Sequence, residues 1–147
     1  MVYRSRFPGQ GICTVTLSRP TLQRGPGPAR DFHWFQTLTA ERDVILAGDF
    51  NYPATSPKIG PTRNLPDIVN LIPAGTLTTL KGSGQGFASG YDQLYVNGQA
   101  TSEATGKGGA YDFVAGLGYT EEQQAGSEIS DHLPVWAGFR IDGADVD

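Results

Sequence analysis

Val44-Ile45-Leu46-Ala47-Gly48-Asp49-Phe50-Asn51 is the stretch on which the fold turns. Val44 to Ala47 is short and wholly apolar, the pattern of a strand buried on both faces, so it is expected at the centre of a sheet. The Gly-Asp-Phe-Asn that follows sets a carboxylate and an amide at that strand's tip. Working outward, Tyr91 to Val96 alternates, with Leu94 and Val96 on one face, and Asn97-Gly98 signals a turn. Val135, Ala137, Phe139 and Ile141 alternate with Trp136, Gly138 and Arg140, giving a last strand with one face in the core. Upstream, Gly11 to Leu17 is β-branched and apolar and reads as a first strand. Tyr91-Asp92-Gln93 and Ser130-Asp131-His132 lie at the edges of these runs, as Asp49 and Asn51 do.

The remaining segments predict an α/β (α+β) chain. Arg19 to Arg30, alternating Gly and Pro, is a loop. From Pro28 or Asp31 to Glu41, the spacing of Phe32, Phe35 and Leu38 predicts a helix with one face on a sheet. Tyr52 to Arg63 reads as a polar, proline-bearing loop. Asn64, Pro66 and the apolar Ile68, Val69, Leu71 and Ile72 predict a short helix stopped by Pro73. Gly82 to Gly90 is a flexible loop whose glycines lack the Lys-Ser/Thr and helix of a phosphate cradle. Thr101 to Gly109 reads as a small-residue surface loop, Ala110 to Val114 as a strand, and Thr120 to Ala125 as a helical turn with Glu121 and Glu122 near its start.

A length of 147 residues fits a single domain with a real core. Eleven Lys and Arg against fifteen Asp and Glu give a net charge of −4, so no basic stripe argues for nonspecific nucleic-acid binding. The single cysteine, Cys13, excludes an internal disulfide and the multi-cysteine zinc patterns. No apolar run reaches about 18 residues and the first residues lack a secretory segment, so a soluble, by default cytoplasmic, protein is expected. Acids at the tips of buried strands are held rigidly, and several such tips in one crevice make an anionic pocket. Such a pocket suits a hard divalent cation, which needs one or two carboxylates plus substrate phosphate oxygens. Each residue also has a plainer reading: Asp49 and Asn51 as a turn-forming pair, Asp131 as a cap beside a solvent-facing His132, and Gln93 as structural.

VILAGDFN, GYDQLYV and EISDHLPVWAGF, in that order, resemble motifs of the endonuclease/exonuclease/phosphatase superfamily, whose members share the deoxyribonuclease-I-like fold. The resemblance covers roughly residues 11 to 141. It implies part of a four-layer α/β/β/α sandwich, mainly the carboxy-terminal sheet with one or two helices, and a hydrolase of phosphodiester or phosphomonoester bonds using Mg²⁺ or Mn²⁺. It implies that Asn51 and His132 contact the scissile phosphate, that Asp49 positions the attacking water or a metal ion, and that Asp131 supports the metal. His132 would be the general base or acid, oriented by Asp92 through its other ring nitrogen. Substrates of such enzymes include nucleic acids, phospholipids and inositol phosphates. Three departures stand out: Thr16 where the family commonly has His, Gln93 where many members have His or Arg, and no counterpart here of the family's upstream metal-binding Glu. These predict a truncated domain, with Met1 to Gln10 outside the fold and self-association through an uncovered sheet face. The alternative of another class is a catalytically impaired fragment, or a non-enzymatic remnant that binds phosphate or nucleic acid.

Overall fold

The computed structural model describes residues 13–16, 43–82 and 86–141. The expected helix to Glu41, the Arg19 to Arg30 loop and Met1 to Gln10 lie outside the described residues. Six strands and three short α-helices appear among the described ones. The strands are β1 (Cys13–Thr16), β2 (Val44–Asp49), β3 (Ile68–Asn70), β4 (Asp92–Asn97), β5 (Ala104–Ala110) and β6 (Val135–Phe139). The helices are α1 (Gly60–Arg63), α2 (Phe113–Gly116) and α3 (Glu122–Glu128), with a 3₁₀ turn, Pro57–Ile59, leading into α1.

β1, β2, β4 and β3 form one sheet in that order, and β5 and β6 form a second. β1 runs parallel to β2, while β4 is antiparallel to both β2 and β3. The apolar run beginning at Val44 is thus an inner strand, as its composition predicts. Its side chains split by parity between two clusters, because successive residues of a strand point to opposite faces. Val44 and Leu46 pack with Phe50, Ile59 and Tyr95. Ile45 packs on the other face with Leu94, Val96, Leu71 and Ile72, and this cluster is completed by Ala104, Val135, Ala137 and Phe139 of the second sheet.

The two sheets therefore share a core, and the fold is α+β with helices and strands mixed. The bare apolar face expected of a lone sheet is not left open: β5 and β6 contribute to the cluster on one face, and Ile59 of the 3₁₀ turn contributes to the other. A third cluster joins Leu80, Phe113, Val114, Ala125 and Leu133, and ties α2 and α3 to the segment that carries His132. Among the described residues no helix is long and apolar enough to cross a membrane.

Five local expectations are corrected. The helix expected over Asn64 to Ile72 is instead a turn followed by β3, where Ile68 and Val69 pair with Asn97 and Val96. Asp67, with φ of 61°, breaks helical geometry ahead of it. The helical turns fall earlier, within the segment read as a loop, where Ser56 caps the 3₁₀ turn by accepting from the Lys58 N–H. Thr101 to Gly109 is mostly strand β5, not a loop. Its glycines serve close packing, since a Cβ on Gly108 would lie 2.2 Å from the Leu71 carbonyl oxygen and 2.9 Å from that of Trp136. Ala110 to Val114 is not a strand: β5 ends at Ala110 and Asp112 caps α2, its carboxylate accepting from the Ala115 N–H at 3.1 Å. Around Thr120 a helix does form, running from Glu122 to Glu128. Ile141, expected on the core face of the last strand, lies beyond β6 and is 85 % exposed.

Candidate functional site

The site lies where β2 ends and β4 begins. Because these strands are antiparallel, Asp49 and Asp92 fall directly opposite one another. Two like charges in that cross-strand position repel unless something positive or hydrogen-bonding separates them. The His132 imidazole fills this role. Its Nδ1 lies 2.8 Å from Asp92 Oδ2 and its Nε2 lies 4.0 Å from Asp49 Oδ2.

Backbone pairing brings His132 there across 40 residues of sequence. Thr79 and His132 form an isolated antiparallel bridge. On either side, the Leu80 N–H donates to the Asp131 carbonyl and the Leu133 N–H to the Thr78 carbonyl, both at 2.8 Å. The side chain of His132 is 30 % exposed, Asp49 27 % and Asp92 13 %, so the group is held by its neighbours but reachable by solvent and ligand.

Asp92 is the most enclosed of the three, and Thr78 explains how its charge is tolerated. The fully buried Thr78 hydroxyl accepts from the Tyr91 and Asp92 N–H groups at 3.0 Å each and donates to Asp92 Oδ2 at 2.7 Å. Asp92 Oδ2 thus receives both Thr78 and the imidazole. With the carboxylate accepting at Nδ1, the neutral ring carries its proton on Nδ1 and leaves the Nε2 lone pair directed to the Asp49 side. Burial alone would lower the pKa of His132, but the hydrogen bond to Asp92 and the charges of Asp92, Asp49 and Asp131 outweigh it and hold the pKa above its ordinary 6.5.

Asp49 is fixed from the other side. The Asn51 N–H donates to its Oδ1 at 2.7 Å and the Asn51 side-chain amide to its Oδ2 at 3.1 Å. Asn51 takes φ of 56°, a left-handed conformation that asparagine tolerates better than most residues. The turn-forming reading of this pair therefore holds together with its place in the site. The result is one connected series: Asn51, Asp49, His132, Asp92 and Thr78.

One ligand atom from each of Asp49, Asp92 and His132 lies within 4.8 Å of the others, so the group could hold a metal ion. Two carboxylates with one imidazole form a mixed oxygen and nitrogen donor set of the kind that holds divalent cations. The 4.0 Å gap from Nε2 to Asp49 Oδ2 limits how. A water at roughly 2.8 Å from both atoms would subtend about 90° there, an easy hydrogen-bond geometry. A cation at roughly 2.1 Å from both would need about 145°, so direct bridging would require the gap to close by about 1 Å. As it stands, Nε2 is better placed for a water than for a shared ion.

Asp131, expected beside the metal, has an exposed side chain and is not a member of this three-residue group; its charge acts on His132 from outside. Gln93 is 3 % exposed and structural: its carbonyl accepts from the Asn70 amide at 2.7 Å and its amide donates to the Gly90 carbonyl at 2.6 Å. Thr16 ends β1 opposite Ala47, two residues short of Asp49. Thr78 had no signal in the string Thr76-Leu77-Thr78-Thr79-Leu80, where several residues could equally have carried a structural hydroxyl. Compared with known proteins, the chain matches no family model and no curated protein sequence.

Proposed function

We propose that this chain is of the endonuclease/exonuclease/phosphatase type and hydrolyses phosphate esters with the help of a divalent cation. The observation that carries the reading is the His132 imidazole set between Asp92 and Asp49 at the tips of two paired strands. An imidazole whose Nδ1–H is anchored on a carboxylate is fixed in tautomer and orientation, and its Nε2 is free to take a proton.

Nε2 of His132 and Oδ2 of Asp49 would hold a water between them. As that water attacks phosphorus in line with the leaving oxygen, His132 would take its proton, and the resulting imidazolium would be stabilised by Asp92. Asn51, one residue beyond Phe50 and hydrogen-bonded to Asp49, would hold a phosphate oxygen at the strand tip, as the family resemblance implies. A cation held by Asp49 and neighbouring oxygens would supply neutralisation of the charge that develops on the phosphate. Thr78 keeps the Asp92 carboxylate aimed at the imidazole.

A second reading, a catalytically impaired remnant that binds phosphate without turnover, is favoured by one feature: both carboxylate oxygens of Asp49 already accept from Asn51, which competes with their use on a catalytic cation. The test is turnover of a chromogenic phosphodiester after treatment with EDTA and on return of Mg²⁺ or Mn²⁺. The hydrolase reading expects activity that EDTA abolishes, that either cation restores, and that Asp49→Asn removes. Phosphate binding with no turnover under any cation would leave the binding reading in its place.

A further inference from the structure

We infer that the substrate of this site carries an apolar group esterified to its phosphate, seated in a cleft beside His132. The inference rests on the proposed placement of a phosphate at Asp49, Asn51 and His132. An open cleft of about 400 Å³ has His132 in its wall. Tyr111, Leu117 and Ile129 line it and are 51 %, 62 % and 51 % exposed. Buried Phe113 and Leu133 complete the apolar lining.

Single exposed apolar side chains need no explanation, but three of them around one cleft are a different matter. They come from the ends of two helices: Tyr111 precedes α2, Leu117 follows it, and Ile129 follows α3. The fold therefore gathers them in a cleft that has His132 in its wall. Apart from His132, the lining holds no side chain that ionises near neutral pH. A second phosphate or another charged group would find no opposite charge there beyond His132 and would lose much of its hydration. An apolar ester group would instead cover surface that is otherwise left in water, and the shared His132 keeps it within one residue of the phosphate.

Binding of methyl phosphate and phenyl phosphate tests this independently of turnover. The expected result is that phenyl phosphate binds about tenfold tighter or more, from the apolar area it covers. Leu117→Asn with Ile129→Asn, both at exposed positions and checked for an unchanged circular dichroism spectrum, should bring phenyl phosphate down to the level of methyl phosphate. Equal affinities for the two esters, or a phenyl preference that survives the double variant, would overturn the inference. Failure of the hydrolase reading shows differently, as a phenyl preference that depends on Leu117 and Ile129 in a protein that turns over no ester.

Discussion

Replacing Asp92 with Asn separates the geometry of the site from its charge. Asp92 Oδ2 accepts from both Thr78 and His132, so the amide oxygen of Asn can take the same place and keep both bonds. What is lost is the charge. A hydrogen bond to a charged group contributes about 1.5–3 kcal/mol and a neutral one about 1, so the substitution should cost about 1 kcal/mol when the ring is protonated. The sign with pH follows from the raised pKa of His132. A group whose pKa is raised in the folded state adds stability that is present below its unfolded pKa and fades as pH rises through the folded one. The deficit of Asp92→Asn should therefore be larger near pH 5.5 than near pH 8.5 in urea denaturation. The His132 pKa, followed by NMR, should fall in the variant. Equal deficits at both pH values, or an unchanged His132 titration, would show that the imidazole and Asp92 are not paired in solution.

Thr78→Val should destabilise by about 2 kcal/mol, because it strands the Tyr91 and Asp92 N–H groups and removes a donor from Asp92; Thr78→Ser should cost less than half of that, measured in the same urea titration. Tyr95 is 1 % exposed, its hydroxyl has no partner among the described residues, and burial pushes its pKa up to about 12 against the opposing charge of Arg63. Tyr95→Phe should accordingly keep the edge-on ring contact with Phe50 and raise stability by about 1 kcal/mol, visible as a higher Tm. Gly108→Ala should cost about 3 kcal/mol in denaturant titration, since the new methyl meets two backbone carbonyls that belong to different strands and turns.

The parts of the fold legible in the sequence were those where pattern and environment agree. Val44 to Leu46 is apolar at every position because β2 is covered on both faces, and Leu94 and Val96 share a face because β4 faces the second sheet. Asp92 as partner of the second ring nitrogen of His132 was expected from the family resemblance, and the geometry has that bond at 2.8 Å. β5 was not legible: Gly108 and Gly109 have low strand propensity, and it is pairing with β6, with the close approach of Gly108 to Leu71, that makes them strand. β3 was read as helix because Ile68, Val69, Leu71 and Ile72 fit a helical spacing equally well, and pairing with β4 decides the matter. Asp112 fell inside the run read as a strand because nothing in the sequence distinguishes such an acid from a cap on a four-residue helix. Asp131 and His132 are adjacent, yet the strand-like bridge with Thr79 directs only one of them inward.

The central claim is that His132, held between two strand-tip carboxylates, moves the proton of an attacking water. Turnover of a chromogenic phosphodiester by His132→Ala, at saturating Mg²⁺ and beside the wild-type protein, tests it most directly. The account predicts a loss of about 100-fold or more, the range of a removed general base, with the variant still folded by circular dichroism. Turnover in His132→Ala equal to that of the wild type would contradict it.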